Sequence, residues 1–361
     1  MSQFYLETIS KKMNTTKKYL LFILIIIVFI NNSKAQDASF SQYYSSSLYL
    51  NPAMAGMEPT VAFLSNYRQQ WRSIVMPYIT SQVSIIHPIT NPTGGRNLHI
   101  GGVGLSLLND LAGDGNFKTN GVNANGAYNL YFTQEENQIL TFGLQVGVIQ
   151  KRIDYSNLQW GEQYNPYIGF DATINPEVGV NSGTTYADIG AGVIYNYVGF
   201  KKAINPVTGF VGFSAYHLNA PNESFYTSMV AKLPRLYKAH GGINILIGDK
   251  FKISPNVLFM YQGGRMLFNS GLYATFNLYE KDENIKTLLP SELIFGVWHR
   301  LKDSFIFSVG VNNETYTFAM SYDVNSSNMR SYTQGRGAFE VSLSLRKARD
   351  KRFKRFNTPR I

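Results

Sequence analysis

The chain has 361 residues, with 33 Lys and Arg against 23 Asp and Glu, and it has no cysteine. The missing thiols exclude a disulfide framework, a thiolate metal centre and a lipidated N-terminal cysteine. The formal net charge of +10 belongs to the ends: residues 1–35 hold five Lys and one Glu, 346–361 hold eight basic residues and one acid, and the 20 basic and 21 acidic residues between them exclude a nucleic-acid-binding body.

The first element is a leader. Lys11, Lys12, Lys17 and Lys18 precede the unbroken apolar run Tyr19–Ile30, and Ser33-Lys34-Ala35 offers small residues at a cleavage site. The run of 12 residues falls well short of the roughly 20 needed to span a bilayer as a helix. It reads as a secretory signal peptide over 1–35, with Gln36 as the mature N-terminus and Met13 as an alternative start.

Residues 36–59, opening "QDASFSQYYSSSLYLNPAMAGME", are rich in aromatic and apolar side chains yet show neither helical nor strand periodicity. Asn51-Pro52 and Ala55-Gly56 supply turns.

From residue 60 the pattern alternates with a period of two. In "ETYTFAMSYDV", Tyr316, Phe318, Met320, Tyr322 and Val324 fall on one face, and Thr315, Thr317, Ala319, Ser321 and Asp323 on the other. Strands are expected over 60–71, 78–89, 99–110, 119–132, 138–153, 185–199, 209–218, 236–248, 250–262, 266–280, 289–301, 303–313, 314–325 and 338–347. Most exceed the roughly five or six residues of soluble strands and match the about 9–11 that cross a bilayer. Their less apolar face is rich in Gly, Ser, Thr, Asn and Gln, as suits a lumen. With a periplasmic N-terminus, the long connections 154–184 and 219–235 face the medium. Tyr131, Tyr155, Tyr195, Tyr279 and Trp298, near strand ends, are expected to form an interfacial girdle. The fold class is therefore all-β, a transmembrane antiparallel β-barrel of about 14 strands with an irregular N-terminal segment.

The final element, 348–361, is a basic tail that follows the barrel at 60–347. From the last strand onward Arg346, Lys347, Arg349, Lys351, Arg352, Lys354 and Arg355 face one acid, Asp350. The tail reads either as a solvated extension or as a periplasmic docking arm for an acidic partner or phospholipid.

No catalytic, metal or cofactor site is expected. His87, His99, His217, His240 and His299 are scattered, and "GGVG" at 101–104 lies within a strand with no helix after it.

A barrel this wide is not filled by its own wall side chains. Phe40, Tyr43, Leu48, Tyr49, Asn51, Pro52 and Gly56 are the candidate plug or partner residues. They either enter the lumen or form an arm beneath the barrel, and loop 154–184 could also fold inward.

The opening segment resembles the N-terminal signature of the PorP/SprF family of Bacteroidetes outer-membrane proteins. Further blocks follow in order: "NYRQQW" (66–71), "PYITSQVS" (77–84), "GVGLSLLNDLAG" (102–113), "FGLQVGVIQKRIDY" (142–155), "SAYHLNAPNESF" (214–225), "KLPRLYKAHGG" (232–242), "ISPNVLFMYQ" (253–262), "GVWHR" (296–300) and "FEVSLSL" (339–345). The resemblance implies an accessory barrel of the type IX secretion and gliding-motility machinery. Such a barrel would help to export or surface-attach specific large cargo such as adhesins. It also implies periplasmic partners in the secretion motor complex, a setting in outer-membrane lipid and no nucleic acid. The continuation "RKARDKRFKRFNTPRI" departs from the family pattern of ending near the last strand. A transporter of small hydrophobic solutes is the alternative.

Overall fold

The computed structural model describes residues 37–347, apart from 74–75, 92–98, 114, 133–136, 156–157, 172, 175–181, 199–206, 249 and 279–289. The expected leader with Gln36, Tyr279 of the expected girdle, and the tail from 348 lie outside the described residues.

Fourteen long strands close into one antiparallel barrel. They are β1 (Ala62–Gln70), β2 (Tyr78–Thr90), β3 (His99–Ala112), β4 (Phe117–Tyr131), β5 (Gln138–Arg152), β8 (Gly183–Val198), β9 (Val207–Tyr216), β10 (Leu236–Ile247), β11 (Phe251–Gln262), β12 (Arg265–Asn277), β13 (Glu292–Arg300), β14 (Ser304–Asn312), β15 (Tyr316–Asn325) and β16 (Arg336–Arg346). β6 (Tyr164–Asn165) and β7 (Gly169–Phe170) form a separate small hairpin within the β5–β8 connection. Each long strand pairs with its neighbour in sequence, and β1 pairs with β16 to close the wall.

The alternation seen in the sequence sets the wall inside out relative to a soluble protein. On β15, Phe318, Met320, Tyr322 and Val324 are exposed, while Thr317, Ala319, Ser321 and Asp323 are buried. On β5, Phe142, Leu144, Val146 and Val148 form an exposed apolar stripe, and Thr141 and Gln145 face inward. An apolar exterior and polar interior are what a barrel in lipid requires, and closure leaves no unpaired strand edge in hydrocarbon.

Two expectations need correction. Trp298 is not part of an interfacial girdle: it shares the inward face of β13 with Ile294 and Arg300 and is 1% exposed. Its parity along the strand decides this, whatever its nearness to the strand end. β9 stops at Tyr216, two residues early, because His217 adopts a left-handed φ of 57°.

Because β1 begins and β16 ends together, the barrel has a terminal end. The opposite end carries the long connections and is called the loop end. In the 153–182 connection, Tyr167 and Ile168 are exposed and Gln163 is buried.

Candidate functional site

Residues 37–57 lie inside the barrel. They contact inward-facing residues on strands around the whole circumference, including Arg68 of β1, Asn129 of β4, Ser214 of β9, Gln262 of β11, Arg300 of β13 and Glu340 of β16. The segment enters the pairing of no wall strand, so its backbone groups need partners from elsewhere. Lumen side chains supply them.

At the loop end, Asp37 is held by Gln262 and His217. Its N–H donates to Gln262 Oε1 at 2.8 Å, and its carboxylate accepts from Gln262 Nε2 at 3.2 Å and meets His217 Nε2 at 2.7 Å. The other ring nitrogen of His217 meets Asp188 Oδ1 at 2.8 Å. Burial works against a charged imidazole, but the two flanking carboxylates outweigh it and hold the His217 pKa at about 10. His217 is therefore a cation at neutral pH and bridges the segment to the wall.

A second anchor gathers four buried charges. Arg68 meets Asp323 at 3.0 Å and Glu340 at 3.2 Å, and Arg300 meets Asp323 at 3.2 Å. The two buried cations and two buried carboxylates balance one another, and Arg300 also meets the half-buried Asp303 at 3.0 Å. The segment completes it. The Ser41 hydroxyl lies between both guanidinium groups and Asp323, and the N–H groups of Ser41 and Gln42 donate to the two oxygens of Glu340 at 2.7 and 3.0 Å. Ser342 Oγ donates to Gln42 Oε1 at 2.6 Å.

Beyond these anchors the segment's aromatic and aliphatic side chains pack in the lumen. Tyr43 packs edge-on to Trp298, with ring centroids 5.5 Å apart, and Phe40 likewise to Tyr49 at 5.6 Å. Leu48 is fully buried. The Tyr49 carbonyl accepts from Lys238 Nζ at 2.5 Å, and the same ammonium lies 3.9 Å from the Tyr49 ring centre.

Asn51 ends the short helical turn Ser47–Leu50 and starts the 3₁₀ turn Pro52–Gly56. Its side-chain oxygen accepts from Ala53 N–H at 2.9 Å, and Pro52 sits at the first position, where its lack of an N–H costs nothing. Its amide nitrogen reaches the carbonyls of Val193 and Phe213 and the His240 ring, each at 3.2 Å. The Gly56 carbonyl accepts from Asn129 at 2.9 Å. Three wall glycines make room for this turn. A Cβ on Gly102 would stand 2.0 Å from the Ala55 carbonyl oxygen, on Gly143 2.2 Å from the Ala53 nitrogen, and on Gly192 2.0 Å from Asn51 Oδ1. The segment then leaves at the terminal end, where Glu58 meets Arg346 at 3.3 Å.

The structure thus gathers Phe40, Tyr43, Leu48, Tyr49, Asn51, Pro52 and Gly56 in the lumen. Arg346 is the last residue of β16 and is held by Glu58, and the Lys347 N–H donates to the Val61 carbonyl at 2.9 Å. Arg349, Lys351, Arg352, Lys354 and Arg355 lie outside the described residues.

A family model for the type IX secretion system membrane protein PorP/SprF matches residues 32–345, which takes in both the luminal segment and the whole wall. The chain belongs to the PorP/SprF family. As a PorP/SprF barrel with an apolar exterior, it is an outer-membrane protein of type IX secretion. No curated protein sequence matches it. Among solved structures it is similar to the toluene transporter TbuX of Ralstonia pickettii, at 11% identity, 85% of this chain, 94% of that chain and a TM-score of 0.49. It is also similar to a FadL homologue of Pseudomonas aeruginosa, at 10% identity, 83% and 94% coverage and a TM-score of 0.44. The toluene transporter TodX of P. putida is similar at 9% identity, 83% and 93% coverage and a TM-score of 0.39. At such distances these barrels carry no argument about what the PorP/SprF chain handles.

Proposed function

We propose that this PorP/SprF protein is an accessory barrel that assists export or surface attachment of specific large cargo proteins, such as adhesins, without conducting them through its own lumen. The supporting observation is the occupied lumen: residues 37–57 are anchored by buried charges at the loop end and seated on wall glycines further down. A polypeptide in transit would have to displace all of these contacts. The working surfaces are then the two rims. The loop end, with the long connections, faces the medium and the cargo, and the terminal end faces periplasmic components of the secretion motor. The chemistry is non-enzymatic, and gliding motility would be affected through the cargo.

The basic tail is a docking arm at the terminal end. Since Arg346 is engaged by Glu58, the arm begins after Lys347. Each cation contributes about 1 kcal/mol near an anionic surface, screened over a Debye length of about 8 Å at physiological salt.

The test is a deletion strain compared with one truncated after Lys347. Complete deletion should remove a small set of large proteins from the cell surface and leave the uptake of apolar solutes unchanged. Truncation should leave the barrel inserted but weaken capture of motor components, more strongly at low salt. Lost solute uptake with an intact surface proteome would replace this reading with that of a transporter.

A further inference from the structure

Among the described residues, every pairing in the wall but one joins long strands that follow one another in the chain, and the exception is the seam between β1 and β16. In a hairpin the turn sets the register of its two strands. The seam has no turn, because its outermost partners, Ala62 and Arg346, stand at opposite ends of the wall sequence. A slip of one residue there would turn every side chain of β16 to the other face. A slip of two would keep the faces and misplace every partner.

The luminal segment marks this seam at two places. Arg68 of β1 donates to the Ser41 hydroxyl, while the N–H groups of Ser41 and Gln42 take the two carboxylate oxygens of Glu340, the register partner of Arg68 on β16. The Gln42 side chain bonds to β16 and to its neighbour as well. Its amide nitrogen donates to the Glu340 carbonyl at 3.1 Å and to Ser321 Oγ of β15 at 3.2 Å, and its oxygen accepts from Ser342. At the terminal end Arg346 Nε donates to Glu58 Oε1 at 3.3 Å, and the Lys347 N–H to the Val61 carbonyl. Glu340 and Arg346 stand about 20 Å apart along β16, at about 3.4 Å per residue. A β16 slipped by one residue turns Glu340 and Ser342 away from Gln42. A β16 slipped by two brings neither Glu340 to Gln42 nor Arg346 to Glu58.

We infer that residues 37–57 have a second function, as an internal ruler for barrel closure: folded back along β1, the segment receives β16 and fixes its register. The segment runs into β1 through residues 58–61, so both marks travel with β1. This role is independent of what the barrel does with cargo. It also accounts for the placing of Gln42, which filling the lumen does not. A plug needs bulk, whereas Gln42 directs both ends of its amide at β15 and β16.

The experiment follows the full chain, which has no native cysteine, as it folds from urea into lipid vesicles under mild oxidation. Tyr67→Cys with Val341→Cys places thiols at register partners across the seam, and Tyr67→Cys with Phe339→Cys reports a two-residue slip. Phe307→Cys with Tyr322→Cys is the reference pair within the β14–β15 hairpin. A disulfide needs Cα atoms within roughly 7 Å, so it forms at register partners and not at diagonal ones. Gln42→Leu should lower the seam yield about threefold and removal of 37–57 about tenfold, with the slipped pair rising and the reference pair unchanged. If the shortened chain loses the reference pair too, it has not folded, and Gln42→Leu decides. A seam yield like the parent's in Gln42→Leu or in the folded shortened chain overturns the inference. So does an equal loss of the seam and reference pairs in Gln42→Leu, which would mean general destabilisation.

Discussion

Glu340→Ala is expected to destabilise the folded barrel by about 3–5 kcal/mol, the usual cost of stranding one partner of a buried ion pair. Glu340 is fully buried and is the register partner of Arg68 across the β1–β16 closure. Its loss leaves Arg68 with Asp323 as its remaining carboxylate and strips the N–H groups of Ser41 and Gln42 of their acceptors. One substitution therefore loosens both the wall closure and the luminal segment. The check is urea unfolding of the barrel in lipid vesicles. Glu340→Gln should cost less, because its amide oxygen still accepts. A Glu340→Ala barrel within about 1 kcal/mol of the parent would mean that water replaces the lost partner, as it does at exposed pairs.

Gly143→Val is expected to unseat the segment. The new Cβ would stand 2.2 Å from the nitrogen and 2.5 Å from the Cα of Ala53. Overpacking usually costs about 1–3 kcal/mol when flexible side chains can yield. Here the obstacle is backbone, held by the Asn51 cap and by the Gly56 carbonyl at Asn129. The lower-cost response is for the 3₁₀ turn to leave the wall and open a path. Ion conductance in planar bilayers should rise well above the parent's, and residues 37–57 should become open to protease. Gly126→Val is the control, since a Cβ there meets nothing within 4 Å. A Gly143→Val barrel that stays sealed and protease-resistant would show that the wall yields instead.

The wall was legible because a period of two is a local signal. The positions assigned to opposite faces of β15 fall on opposite sides of the wall, and strand ends shift by only a few residues. The anchors were not legible. Ser41 and Gln42 look like linker residues, and their partners Asp323 and Glu340 are 282 to 299 positions away. Only barrel closure brings β15 and β16 beside β1 and the segment that precedes it. A weak signal did exist: Asp323 and Glu340 are charges at alternate, inward positions of apolar strands, where a lone carboxylate would be costly. Arg68, His217, Lys238 and Arg300 all lie within the blocks that carry the family resemblance, but spacing alone did not join them. Trp298 was misread because its nearness to a strand end was weighed above its parity.

The central claim is that the luminal segment stays in place while the protein works. Ser342 Oγ lies 2.6 Å from Gln42 Oε1, and the chain has no native cysteine to interfere. Gln42→Cys with Ser342→Cys, bridged in cells by a short thiol-reactive cross-linker, would hold the segment to β16. Delivery of cargo to the surface should then continue at the rate of the unbridged double variant. Delivery that stops on bridging and resumes when the cross-link is cleaved would contradict the account, because the segment would then have to leave the lumen for cargo to pass.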